Sequence, residues 1–138
     1  MKFKNLYSLV FLIFPLIISC REELIEPNNP AGNVNQPIRF EKENYFNIDL
    51  NAYKLSTEIL FDLYFTSQNN QILIKVSDLI SGKLGVTVLA SDDKYLYSAS
   101  FIIGDINTVS RMYLGIPAKM KLNFDNFTGK LKIIIGKI

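Results

Sequence analysis

Few side chains in this sequence could do chemistry. Among 138 residues there is one cysteine, Cys20, and there is no histidine and no tryptophan. Without histidine no Ser-His-Asp or Cys-His relay can be assembled and no histidine-ligated metal can be held. A lone cysteine excludes an internal disulfide framework and a multi-cysteine zinc site. No Gly-x-Ser-x-Gly elbow or glycine-rich phosphate loop follows Cys20. Carboxylates, tyrosines and lysines remain. Asp92-Asp93, Asp105 and Asp125 fall in predicted turns. Calcium would need six to eight oxygens to converge there, whereas an Asp in a turn ordinarily caps its own backbone. Glycoside hydrolysis needs two carboxylates across a cleft, and no spacing here singles out such a pair. Tyr45, Tyr53, Tyr64, Tyr95, Tyr97 and Tyr113 could offer an adaptable contact surface, but strands are rich in tyrosine whatever their function. These residues predict no catalytic group, no metal and no cofactor.

Cys20 draws its meaning from what precedes it. Lys2 and Lys4 are followed by an apolar run from Leu6 to Ile18, broken by Ser8 and Pro15 and ending at the small residue Ser19. These are the three zones of a secretory signal. The run is shorter than the ~20 residues that span a bilayer. Ile17-Ile18-Ser19-Cys20 resembles the lipobox of bacterial lipoproteins. That resemblance covers residues 1–20 and implies cleavage between Ser19 and Cys20, with acyl chains such as palmitate attached at Cys20. One acyl chain holds marginally, and each further buried CH₂ adds about 0.8 kcal/mol, so two or three chains hold firmly. Residues 1–19 are therefore expected to be a signal peptide and Cys20 a membrane anchor.

Residues 20–37 read as a disordered tether. Pro27, Pro30 and Pro37 lie there among four asparagines, and such a stretch buries too little apolar surface to offset its ordering entropy. Arg21, Glu22, Glu23 and Glu26 follow the cysteine directly. They resemble the acidic signal that sends lipoproteins of Bacteroidota to the cell surface, which implies an outer-membrane, surface-exposed location. The same charges also suit any solvated linker. From Ile38 onward the chain carries twelve basic and ten acidic residues, which is no nucleic-acid footprint.

Residues 38–138 must position whatever binds. Period-two alternation dominates. Ile59, Phe61, Leu63 and Phe65 share a face; so do Ile72, Ile74 and Val76; Leu84, Val86, Val88 and Ala90; Tyr95, Tyr97, Ala99 and Phe101; Met120, Leu122 and Phe124; and Leu131, Ile133 and Ile135. Turn signals at 67–70, Ser81-Gly82, 91–93, Gly104-Asp105, Pro117 and 125–129 separate these runs. Residues 53–64 also fit a helical period, but their aromatic and β-branched content favours a pleated strand. Segment 105–113 carries the weakest pattern. The fold expected is all-β: a single antiparallel β-sandwich of about seven or eight strands. The run from Phe61 to Ile135 resembles small jelly-roll and C2-like sandwiches of secreted bacterial proteins, notably at 85–97 and at 121–131, and that resemblance implies no particular binding site.

The last two strands are expected to form a hairpin with Phe124 opposite Gly129, Leu122 opposite Leu131 and Lys121 opposite Lys132. Lys119, Lys121, Lys130 and Lys132 would then line one solvent face. The bland account of that face is a solubilising edge; the sharper one is a docking patch for an anionic envelope polymer or lipid headgroup. The functional expectation is a membrane-anchored cell-envelope lipoprotein acting as a non-catalytic binding or structural module. Its partners would be the membrane, through the anchor, and an envelope protein or anionic polymer. The alternative is a small envelope enzyme acting on glycans or lipids through loop carboxylates.

Overall fold

The computed structural model describes residues 33–102 and 104–138. Six strands form one antiparallel sheet: β1 (Ile38–Lys42), β2 (Tyr45–Asp62), β3 (Asn70–Ala90), β4 (Tyr95–Phe101), β5 (Ile106–Met112) and β6 (Pro117–Lys137). The order is β1-β2-β6-β3-β4, and β5 pairs with β3 beside β4. The described residues are thus all-β, as the alternation predicts, and residues 53–62 of the strand expected over 53–64 lie within β2.

The three long strands are folded in half. At about 3.3 Å per residue, β2 would span roughly 60 Å if straight. Instead the Asn44 N–H, just before it, donates to the Tyr64 carbonyl just after it at 2.8 Å, and the Phe46 and Phe61 rings lie 5.5 Å apart. The same doubling runs through β3 and β6, because β6 keeps register with both neighbours along its length. Ile135 pairs with Phe46 and Ile72, and Met120 with Phe61 and Val88. One layer is therefore β1, residues 45–52 of β2, 129–137 of β6, 70–77 of β3, and β5. The other is residues 57–62, 117–124 and 83–90 of the same three strands, and β4. Phe46, Ile48, Ile74, Ile133 and Ile135 from the first layer meet Val86, Val88, Met120 and Leu122 from the second in one core.

The crease is visible in the backbone. Lys54, Asp78, Gly82 and Asn126 have positive φ, and the register shifts fall beside them. The bulged strands leave amide groups without ladder partners, and side chains take them up. Thr128 Oγ1 accepts from the Lys54 N–H at 2.9 Å, Ser56 Oγ from the Asn126 N–H at 2.8 Å, and Asp105 Oδ1 from the Asp78 N–H at 3.0 Å.

The six strands roughly match the seven or eight expected, the difference arising because three of them serve both layers. One expectation is corrected. No hairpin joins 119–124 to 131–135: both belong to β6, and Leu122 pairs with Ile59 and Val86 while Leu131 pairs with Leu50 and Val76. The reason lies at Phe127, which the crease buries completely. A hairpin tip would have left that ring in water, forfeiting about 2–3 kcal/mol of apolar burial. The sequence reading also missed β1 and the start of β2, although Phe46, Ile48, Leu50 and Ala52 alternate cleanly.

Both open sides between the layers are plugged. On the β1 side the Arg39 guanidinium lies 5.7 and 5.6 Å from the ring centroids of Phe46 and Phe61. It pairs with Glu41 and donates to the Asp62 carbonyl at 3.0 Å. On the far side Tyr97 of β4 packs on the core and hydrogen-bonds Ser110 of β5. Burial raises the Tyr97 phenol above its ordinary value, and the Ser110 bond opposes the shift.

The ends of the three folded strands collect opposite the crease, where Asn44 ties several of them together. It sits at φ +57. Its Oδ1 accepts from the Thr66 and Ser67 amides at 2.8 and 3.0 Å, and its carbonyl accepts from the Lys137 N–H at 3.2 Å. Asn44→Gly keeps the backbone and loses the side-chain bonds, an expected cost of about 1–2 kcal/mol. Asn44→Ala loses the bonds and also strains a left-handed position, about 1–2 kcal/mol more. Urea denaturation of both variants checks this; equal losses would show that φ contributes nothing.

Candidate binding surface

The structure separates the four lysines. Lys119 and Lys121 stand on the outer face of one layer and Lys130 and Lys132 on that of the other. Lys121 lies between Leu60 and Thr87, and Lys132 between Asp49 and Lys75. Each has its own carboxylate: Lys119–Asp93 at 3.3 Å, Lys121–Glu58 at 2.7 Å, Lys130–Asp78 at 2.7 Å and Lys132–Asp49 at 3.0 Å. The Asp78 hydrogen bond and charge raise Lys130 above its ordinary value. The single cationic patch expected from the hairpin register does not form, because the register that would have assembled it is absent.

The loop carboxylates do not converge either. Asp92-Asp93 lies at the open end, where the Asp93 N–H donates to the Ala90 carbonyl at 3.0 Å and Asp92 Oδ1 accepts from the Lys94 N–H at 3.3 Å. Asp105 and Asp125 lie at the crease, Asp105 as a cap on Asp78 and Asp125 opposite Lys83. Among the described residues no group of three or more His, Cys, Asp or Glu could hold a metal. Ser19 and Cys20 lie outside the described residues.

The register builds a different surface. Across the outer face of the five-strand layer, Phe40 pairs with Asn47, Asn47 with Ile134, Ile134 with Leu73 and Leu73 with Val109. At about 4.8 Å per strand this row is roughly 19 Å long. Phe40 and Val109 at its ends are each 57% exposed. Tyr45, in the next row, meets Phe40 edge-on at 6.0 Å. On the other flank Lys132 Nζ donates to both Asp49 oxygens at 3.0 Å, and Asn47 Nδ2 donates to Asp49 Oδ2 at 3.1 Å. Asn47 Oδ1 is buried without a partner. The result is a largely apolar stripe with exposed ends, half-buried at Asn47, Ile134 and Leu73 and edged by fixed polar groups.

The chain matches no known family pattern and no curated protein. Function must therefore be argued from these surfaces and from the sequence before them. The outer face of the four-strand layer is plainer. Two of its rows run Leu60, Lys121, Thr87, Ser98 and Glu58, Asn123, Gly85, Ser100, both polar apart from one exposed leucine.

A second feature lies at the crease. A shallow cleft of about 420 Å³ is lined by Val34, Ala52, Tyr53, Ile80 and Gly129, with the Asp78–Lys130 ion pair at its rim. Residues 33–36, read from composition as the end of the tether, are fastened there. The Asn35 N–H donates to the Asn51 carbonyl at 2.8 Å, and Asn35 Nδ2 and Oδ1 bracket the Tyr53 backbone at 3.0 and 2.8 Å. Sequence patterning alone gave no sign of this dock, because an Asn-rich, Pro-flanked stretch has the composition of a spacer.

Proposed function

We propose that this chain is a lipid-anchored, non-catalytic binding module of the bacterial cell envelope. Ile17-Ile18-Ser19-Cys20 behind a charged and apolar leader carries the anchoring. The stripe from Phe40 to Val109 supports the binding role, since a largely apolar row with exposed ends, flanked by positioned hydrogen-bonding groups, suits another protein's surface. Location at the outer membrane, facing outward, rests on the acidic residues after Cys20.

The anchor is tested by Cys20→Ala. The wild-type chain is expected to take up labelled palmitate and to sediment with membranes; the variant is expected to do neither. An unlabelled, soluble wild type would end the lipoprotein reading. The binding role is tested by placing a photo-crosslinking residue at Val109 in the full chain. One saturable protein adduct is expected, lost when Leu73 is changed to Lys. Turnover of an envelope glycan or lipid by the purified chain would favour an enzyme instead.

A further inference from the structure

We infer that the crease end of the sandwich rests on the membrane that holds the anchor, with Val34, Tyr53 and Ile80 seated among the lipid headgroups and upper acyl chains. This inference rests on the lipid-anchor reading. Ile80 is 79% exposed, the most exposed large apolar side chain among the described residues; Tyr53 is 58% and Val34 51% exposed, and all three line the crease cleft. An isolated exposed isoleucine needs no explanation, but three such side chains around one apolar cleft form a surface that water solvates poorly.

The lipid surface is the occupant because of where the chain arrives. Thirteen residue steps separate Cys20 from Asn33, a reach of at most about 45 Å fully extended. The chain enters the domain beside the cleft, and Asn35 clamps that entry to the backbone of Tyr53 itself. Whatever holds Cys20 is therefore presented to this end at high effective concentration. The opposite end, with Tyr64 and Tyr95, is a further half-strand length away, roughly 25 Å.

The side chains suit an interface. Tyrosine places an apolar ring in the boundary and its hydroxyl in water. Lys54 lies 5.3 Å from the Tyr53 ring centroid and can carry its ammonium outward while its stem stays apolar. Charge is balanced locally, with Lys130 on Asp78 and Lys83 opposite Asp125. Apolar contact rather than attraction to anionic lipid must then hold this end down, so contact should persist in high salt.

The chain has no tryptophan, so one introduced indole reports its own surroundings. The full lipidated chain carrying Ile80→Trp is reconstituted into phosphatidylcholine vesicles with brominated acyl chains, and flotation is measured separately. The expected result is a blue-shifted emission quenched by about twofold or more, as for an indole a few ångströms below the headgroups. Tyr95→Trp at the open end should stay unquenched, and raised salt should change neither. A chain that floats with the vesicles but shows no quenching at Ile80→Trp, or equal quenching at both positions, overturns the docking and leaves the anchor standing. A chain that does not float removes the anchor and the docking with it.

Discussion

Replacing Gly82 with alanine is expected to destabilise the domain by about 3–5 kcal/mol, at the severe end for a single substitution. For a domain of this size that is a fall in Tm of roughly 15–30 °C. Gly82 has φ +88, and a Cβ there would overlap the Asn126 carbonyl and sit 2.5 Å from the Asp125 carbonyl oxygen. Both obstacles are backbone atoms of β6 at the crease, so neither can swing aside as a side-chain tip would. Gly104 supplies the control. Its φ is +80, but nothing lies within 4 Å of the Cβ position. Gly104→Ala should thus show the conformational strain alone, about 1–2 kcal/mol. Thermal unfolding of the two variants separates close approach from φ. Similar losses would mean that β3 and β6 part at the crease without cost.

The same crease explains what the sequence discloses and what it conceals. Within each layer, alternation is legible residue by residue: Leu84, Val86, Val88 and Ala90 are all buried, as are Ile72, Ile74 and Val76. Period-two patterning is a local property of a pleated strand, so it survives whatever the topology. The joins do not. In β6 the buried set runs Met120, Leu122, Phe124 and then Phe127, Leu131, Ile133, Ile135. Parity changes between Phe124 and Phe127, and a parity change flanked by Asp, Asn, Thr and Gly carries the composition of a hairpin turn. A bulge and a turn use the same residues because both need a left-handed position; here it is Asn126, at φ +47. Only the partner strands decide between them. β2 supplies Leu55 opposite Phe127, a long-range fact that no local window contains.

The candidate surfaces divide along the same line. The stripe joins residues from five strands, with Phe40 and Val109 at opposite edges of a layer, so it exists only once β6 is placed between β2 and β3. The lysine grouping failed for the converse reason, since it depended on the one register that a buried Phe127 forbids. The expectation at Cys20 is of another kind, because a lipobox would be met by processing enzymes as linear sequence and is read from residues 1–20 without reference to the fold.

Phe127 therefore gives the sharpest test of the folded-strand architecture. Its ring is 0% exposed and lies 5.5 Å from the Phe124 ring centroid. Phe127→Ala removes a buried aromatic and leaves a void between the layers at their join, an expected loss of about 3–5 kcal/mol. Phe127→Leu keeps most of the volume and should cost about 1.5 kcal/mol or less. A hairpin tip in the same segment would place residue 127 in solvent, and both variants would then fall within about 0.5 kcal/mol of wild type. The two architectures thus differ several-fold in one number. Equilibrium urea unfolding measures it, and an unchanged slope would show that the variants alter the native core rather than the compactness of the unfolded chain. A near-neutral Phe127→Ala would remove the crease. A large loss there, with a small one for Phe127→Leu, fits only a β6 that bends inward at Phe127 and carries its alternation from one layer into the other.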